Sequence, residues 1–399
     1  MLGTAGAHYA TFFRMPDVAR MLAMAVVARM PIGTVTLGML LHVRALTDSF
    51  AVAGATVGAY LAASAVTAPI VGRFIDRRGP YTALVVTGVV SPAALLVLWV
   101  AKPLGLSPAQ MTAVAVIAGA FAPPITVLTR TMWRHRFDTD VDRKTAFALD
   151  AVLVELAFTA GPALIALLLA LGSPAIAFGA AFFFTLIAVP TFLASPALRY
   201  WKHEPRGERH LLGPLREGRL VAVYATTFLI TASLGLLEIA YPGFAAQVGS
   251  APLAGVLLAV NSIGSAVGGL AFGALDWKLA PPRQLPRILG LMVLPLALQA
   301  TIGHAGVLAL VAFVAGLCIA PALTVVTMLV STYAPARYAT EAFTWAATCI
   351  VSGIGAGNAV GGLLLERFDA AVVFGTSAAV LLVAAACGLV LTGLHRPAA

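Results

Sequence analysis

Two carboxylates of one apolar stretch and a guanidinium of another stand out in this 399-residue chain, and these residues have chemistry to perform. Asp150 and Glu155 stand in the run Ala148-Leu149-Asp150-Ala151-Val152-Leu153-Val154-Glu155, and Arg29 stands in the first long apolar run. An aspartate at the centre of a membrane helix costs about 2.5–3.5 kcal/mol on insertion scales, so each such group is a site by default. Desolvation and a nearby cation act in opposite directions on a carboxylate's proton affinity. Moving the carboxylate between those surroundings therefore binds or releases a proton, which is what proton coupling requires. Counted from the predicted cytoplasmic helix starts, Glu155 and Arg29 reach similar depths and can meet near the midplane. Asp150 lies nearer the cytoplasm, close to the depth of Arg130, which suggests a second pair. The plain alternative for each is a buried structural ion pair. Asp150 and Glu155 are five residues apart and do not share a helix face.

The elements that must position these groups follow from composition. Hydrophobic residues make up 60% and charged residues 10%, against roughly 25% charged in soluble domains. Mean hydropathy is +0.96. This excludes a soluble enzyme and predicts an all-α polytopic membrane protein, its 37 glycines and 24 prolines falling inside membrane helices that tolerate both. A span takes about 20 residues, and apolar runs predict twelve: 18–45, 51–73, 81–101, 108–132, 145–171, 175–194, 219–245, 252–275, 284–303, 306–332, 340–366 and 370–393. Helices 1 to 12 are numbered in that order.

The formal charge of +9 raises a nucleic-acid reading, which the distribution of charge rejects. With the amino terminus in the cytoplasm, Arg44, Lys102 and Arg367 lie at outer edges and Arg29 mid-helix. Every other basic residue falls on a cytoplasmic segment, so the positive-inside rule fixes the orientation. The expectation is a multi-pass protein of the cytoplasmic (inner) membrane with both termini cytoplasmic. Residues 1–17 lack the features of a cleaved signal peptide, so helix 1 is expected to be an uncleaved anchor. The expected domains are 1–194 and 219–399, two pseudo-symmetric six-helix bundles. Between them, a linker over 195–218 interleaves Arg199, Lys202, Arg206, Arg209 and Arg216 with Glu204, Glu208 and Glu217. Its cations have membrane lipid headgroups as their plain partners.

Internal repetition supports two halves. Helices 2 and 8 align at an offset of 201, pairing Ala53-Gly54 with Ala254-Gly255, Ser64-Ala65 with Ser265-Ala266, and Gly72 with Gly273. Helices 4 and 10 align at 197, pairing Gly119 and Pro124 with Gly316 and Pro321. Helices 5 and 11 align at 196, pairing Ala146-Phe147 with Ala342-Phe343 and Gly161 with Gly357. The equivalents of Asp150 and Glu155 are Ala346 and Val351, so the scaffold does not demand the acids.

After helix 2 the chain reads Gly72-Arg73-Phe74-Ile75-Asp76-Arg77-Arg78-Gly79, a match to G-x-x-x-D-R-x-G. Here the whole chain resembles the major facilitator superfamily. The second-half counterpart keeps Gly273 and sets Lys278 opposite Arg77, but Trp277 replaces the aspartate. A glycine permits a tight helix-to-loop turn, and a carboxylate near the positive end of another helix gains about 0.3–1 kcal/mol. Asp76 therefore reads as a latch, and the resemblance implies the start of helix 11 near Thr340 as its partner. Gly72, Asp76, Arg77 and Gly79 are gating candidates, with Arg130, Gly161 and Pro162. Gly161-Pro162 resembles the central dipeptide of the glycine-rich motif of drug:proton antiporters, although Ala157, Ala163 and Leu164 replace flanking glycines. A plain helix kink explains it equally well.

Candidates for the substrate cavity besides Arg29 and Glu155 are Glu238 with Tyr241 in helix 7, the repeat-equivalent Tyr60 and Asn261, and Trp345 in helix 11. Other signals are rejected. Asp138 to Asp142 imitates a calcium loop but has Arg143 and Leu149 where glycine and glutamate are needed, leaving a solvated hairpin. Gly353-Ile354-Gly355-Ala356-Gly357 lies inside a membrane helix, where close packing explains it. His42 and His304 read as solvated histidines near outer helix ends, and Cys318, Cys349 and Cys387 as inert packing. No metal or nucleotide signature appears.

These readings converge on a non-enzyme: a secondary transporter working by alternating access, exporting a small organic compound or drug. It is expected to use the proton gradient and no cofactor, to act as a monomer, and to have a small-molecule substrate, protons and lipids as partners, with no nucleic acid. The alternatives are an importer or facilitator of a small anionic metabolite, with Arg29 binding its anionic group, and a non-transporting membrane receptor.

Overall fold

The computed structural model describes residues 12–202, 213–275 and 277–394. Linker residues Glu204, Arg206, Glu208 and Arg209, most of the stretch read for a signal peptide, and both chain ends lie outside the described residues.

Among the described residues the fold is all helical. Helices 1 to 3 are Pro16–Thr47, Phe50–Arg78 and Pro80–Trp99. Helix 4 consists of Pro108–Ala120 and Ile125–Arg136, helix 5 is Asp140–Leu171 and helix 6 Pro174–Ala194. Helices 7 to 9 are Gly218–Gln247, Ala251–Ala274 and Pro281–Gln299. Helix 10 consists of Ala305–Gly316 and Ile319–Tyr333, followed by helix 11, Ala339–Leu365, and helix 12, Ala370–Leu394. Among the described residues, eleven spans are long and apolar enough to cross a membrane. Helix 9 falls short because Arg283, Gln284 and Arg287 crowd its first turns. Val66, Ile70, Leu171, Leu291 and Leu294 stand exposed, apolar surface suited to lipid rather than water.

Three local expectations are corrected. Helices 4 and 10 are not continuous: each breaks just past its paired glycine, at 121–124 and at 317–318. Pro123, Pro124 and Pro321 lack the N–H that would continue the hydrogen-bond ladder. Helix 2 runs through Gly72 to Arg78, so the turn falls at Gly79 alone. Gly79 has φ 87° and donates its N–H to the Ile75 carbonyl at 2.7 Å, a conformation glycine adopts without steric cost. Helix 5 starts at Asp140 inside the expected hairpin. Thr139 Oγ1 donates to Asp142 Oδ2 at 2.7 Å and accepts from the Asp142 N–H at 3.1 Å, capping the helix start.

By their contacts the residues group into two compact units, Ala7–Arg136 with Leu153–Gly207, and Phe137–Val152 with Glu208–Ala399. Helix 5 thus changes unit between Val152 and Leu153. In the first unit, Val35, Met39, Leu95, Leu98, Ala115 and Phe178 form a buried core. His42 joins it rather than facing solvent: it is buried and stacks on Phe178 with centroids 5.0 Å apart. His304 is exposed, and its Nδ1 accepts the Val307 N–H at 3.4 Å as the cap of helix 10.

Asp17, at the start of helix 1, ties the linker end of the first unit. Its Oδ2 accepts from Arg136 Nε at 2.7 Å and Tyr200 Oη at 2.6 Å, while the Arg136 guanidinium lies 5.1 Å from the Tyr200 ring centroid. Burial and the carboxylate push the Tyr200 phenol up from its ordinary value. The Arg136 and Asp17 side chains keep 26% and 21% exposure, which discounts a charge-assisted bond. Asp17→Ala is expected to cost about 1–2 kcal/mol, read as a lowered thermal midpoint of the purified protein.

Candidate functional site

Glycines set the geometry of the helix crossings. A Cβ built on Gly33 of helix 1 would lie 2.0 Å from the Ala157 carbonyl oxygen, and one on Gly161 of helix 5 would lie 2.6 Å from Gly33 Cα. The two backbones therefore touch, which only glycine permits. Pro162 lies next to this point inside helix 5 without ending it. Arg29 lies one turn before Gly33, and Glu155 two residues before Ala157, so both approach the crossing at one level. Arg29 is 1% exposed, and Glu155 is half-buried.

The repeat reproduces such crossings. A Cβ on Gly119 would meet the Tyr60 carbonyl oxygen at 2.1 Å, and one on Gly316 the Asn261 carbonyl oxygen at 2.2 Å. Gly119 with Gly316 and Tyr60 with Asn261 are the pairs aligned from sequence. In helix 11, Gly357 approaches Ala232 and Gly353 approaches Phe228 of helix 7 in the same way, whereas Gly355 faces open space. Close packing thus accounts for two of those three glycines.

The remaining sequence candidates separate. Asp150 is 1% exposed and clusters with the second unit, while Arg130, also buried, belongs to the first. Tyr60 is half-buried. Asn261 is buried and donates Nδ2 to the Ala312 carbonyl at 2.9 Å, spending that donor on the packing of helices 8 and 10. Tyr241 is fully buried, edge-on to Phe374 of helix 12 at 5.5 Å. Glu238 is exposed, and its Oε2 accepts from Asn358 Nδ2 at 3.2 Å. That partner lies one residue past Gly357, a position the sequence marked only for packing. Trp345 is half-buried.

The gating residues sit where helix 2 ends. Gly72 and Gly79 are buried, Asp76 is half-buried and Arg77 is exposed. Arg77 and Arg78 in the last turn complement the helix dipole, whereas Asp76 opposes it. Two buried charged residues went unnoticed in the sequence, Lys144 at 5% exposure and Glu341 at 0%. Both stand near helix starts, at 144 and 341, where sequence alone reads an acid or a cation as solvated. Their repeat relation was the available signal: at the offset of 196, Lys144 matches Thr340, and Thr145 matches Glu341.

Among the described residues, eleven membrane-length spans, two repeats with matching crossings and charged residues buried inside apolar helices define a polytopic membrane protein. The chain belongs to the Major Facilitator Superfamily, whose model matches residues 21–224 and 223–399. A search of curated proteins finds no match. Among solved structures it is similar to a bacterial homologue of the iron transporter ferroportin in an outward-facing state, with TM-score 0.78 and 12% identity over 94% of this chain and 99% of that one. It is also similar to the human organic anion transporter MFSD10 (TETRAN), with TM-score 0.66 and 16% identity over 93% and 99%. The E. coli fucose:proton symporter FucP gives TM-score 0.71 and 11% identity over 94% and 98%. These likenesses carry the fold. The protein is a multi-pass membrane transporter and not an enzyme.

Proposed function

We propose that the chain exports a small organic compound in exchange for protons across the cytoplasmic membrane, with both termini in the cytoplasm. The observation that carries this reading is the Gly33–Gly161 crossing, which sets Arg29 and Glu155 at one level of the first unit. Glu155 is the proton carrier, Arg29 the cation that favours its charged form, and Asp150 a second acid on the same helix. Substrate and proton compete for the cavity, and each shifts the conformational equilibrium by its differential affinity for the two states. Glu238, held by Asn358, offers a carboxylate to a cationic group of the substrate. Asp76 serves as a latch whose release accompanies the switch, with Arg77 and Arg130 beside the moving segments. The functional unit is a monomer.

A facilitator of small anions is the second reading, favoured by the buried guanidinium of Arg29. Counterflow of labelled cations and anions in liposomes separates the two. Exchange of organic cations supports the export reading, and exchange confined to anions overturns it.

A further inference from the structure

One cavity takes no part in the transport site. It measures about 580 Å³ and is lined by Glu217, Gly218 and Arg219 at the start of helix 7 and by Thr332 and Tyr333 at the end of helix 10. All five residues lie within one unit, at the end where the linker enters it. The volume falls within the roughly 300–1,000 Å³ of small-molecule sites. A 3-10 turn over Gly213–Arg216 delivers the chain to this wall. A Cβ on Gly218 would meet nothing within 4 Å, so open space lies directly against the first turn of helix 7.

Glu217 and Arg219 give this cavity opposite charges that do not neutralise each other. Residues two apart along a helix do not face one another, and among the described residues neither side chain forms an ion pair or a hydrogen bond. The Glu217 carboxylate does not cap the helix it precedes. The Arg219 guanidinium lies 5.7 Å from the Tyr333 ring centroid, a contact that holds it and leaves its N–H groups unspent. Tyr333 Oη is buried and has no hydrogen-bond partner among the described residues. The donors are therefore Arg219, Tyr333 and the uncapped N–H groups of the first turn, where the helix dipole favours an anion. Glu217 repels a dianion and Arg219 repels a simple cation, so a zwitterion satisfies both. The ends of membrane spans lie at the level of lipid headgroups. There a singly charged phosphodiester matches the guanidinium fork, and a primary ammonium brings three donors to the carboxylate.

We propose that this cavity binds a phosphoethanolamine group, with the phosphodiester on Arg219 and Tyr333 and the ammonium on Glu217. The group arrives as the headgroup of phosphatidylethanolamine or as a free phosphodiester such as glycerophosphoethanolamine. The site is independent of the direction of transport, because none of its residues belongs to the transport site.

Native mass spectrometry of the delipidated full chain, offered phosphatidylethanolamine, phosphatidylcholine and phosphatidylglycerol in equal amounts and with the same acyl chains, reads the site without transport. Wild type is expected to retain phosphatidylethanolamine first. The quaternary ammonium of phosphatidylcholine donates no hydrogen bond to Glu217, and phosphatidylglycerol brings no cation. Arg219→Ala is expected to lower that occupancy about fivefold, the order of an exposed charge-assisted contact. Glu217→Gln is expected to erase the preference over phosphatidylglycerol. Glycerophosphoethanolamine offered alone separates the two sources. Its retention by wild type and not by Arg219→Ala supports a soluble ligand, and its absence beside retained phosphatidylethanolamine supports the lipid. No preference for phosphatidylethanolamine together with no retention of glycerophosphoethanolamine overturns the proposal, as does a preference unchanged in both variants. Glu217 and Arg219 are then solvated surface charges. If Arg219→Ala does not accumulate, Tyr333→Phe, which removes one oxygen, carries the same expectation and the same refutation.

Discussion

Glu155→Gln is expected to abolish proton-driven substrate accumulation while leaving counterflow intact. The amide keeps the size and hydrogen-bonding reach of the carboxylate and cannot take up a proton. One proton moving through 100 mV supplies about 2.3 kcal/mol, which sustains a roughly fortyfold gradient at 1.4 kcal/mol per factor of ten. Wild type in liposomes should approach that ratio, and the variant should stay near unity. Tracer exchange at equal concentrations tests whether the cycle itself survives. If the variant accumulates substrate as wild type does, Glu155 is not the coupling group. Because Asp150 is not on the same helix face and falls in the other contact unit, it should not rescue the loss.

Gly161→Ala should damage the fold itself. Its new methyl would stand 2.5 Å from the Gly33 carbonyl carbon and 2.6 Å from Gly33 Cα, and backbone atoms cannot step aside as a flexible side chain does. Overpacking costs about 1–3 kcal/mol where side chains can adjust, and a helix-to-helix backbone contact lies at or above the upper end. A thermal midpoint lowered by several degrees or more is expected. Gly58→Ala is the control, since a Cβ there meets nothing within 4 Å. Equal midpoints for the two variants would mean that the crossing tolerates separation and does not fix the level of Arg29 and Glu155.

Much of this architecture was legible in the sequence because membrane helices must be long, apolar and flanked by sided charge. The repeat was legible through its glycines, since a backbone contact admits one residue type and preserves it as a marker in both halves. Gly119 against Tyr60 and Gly316 against Asn261 carry that lesson. Breaks in helices 4 and 10 were hidden because prolines are compatible with membrane helices, and only neighbouring backbone decides whether the ladder resumes. The turn of the first loop was misplaced for a related reason. Gly72 and Gly79 both permit a turn, and the positive φ belongs to Gly79 alone.

For the site, Arg29, Glu155 and Asp150 announced themselves by the cost of charge in an apolar run. Lys144 and Glu341 did not, because a charged residue at a helix start is ordinarily solvated and carries no such signal. The partner of Glu238 was equally silent, since Asn358 lies 120 positions away in sequence and meets it only through the packing of helices 7 and 11.

Proton movement triggered by substrate tests the central claim most directly. Wild-type protein reconstituted in liposomes under an imposed pH gradient, with internal pH followed while cationic, neutral and anionic compounds are added one at a time, should move protons only when a transported compound is present. Substrate flux that proceeds with no accompanying change in internal pH would contradict proton-coupled export and leave Arg29 and Glu155 as structural residues of a facilitator.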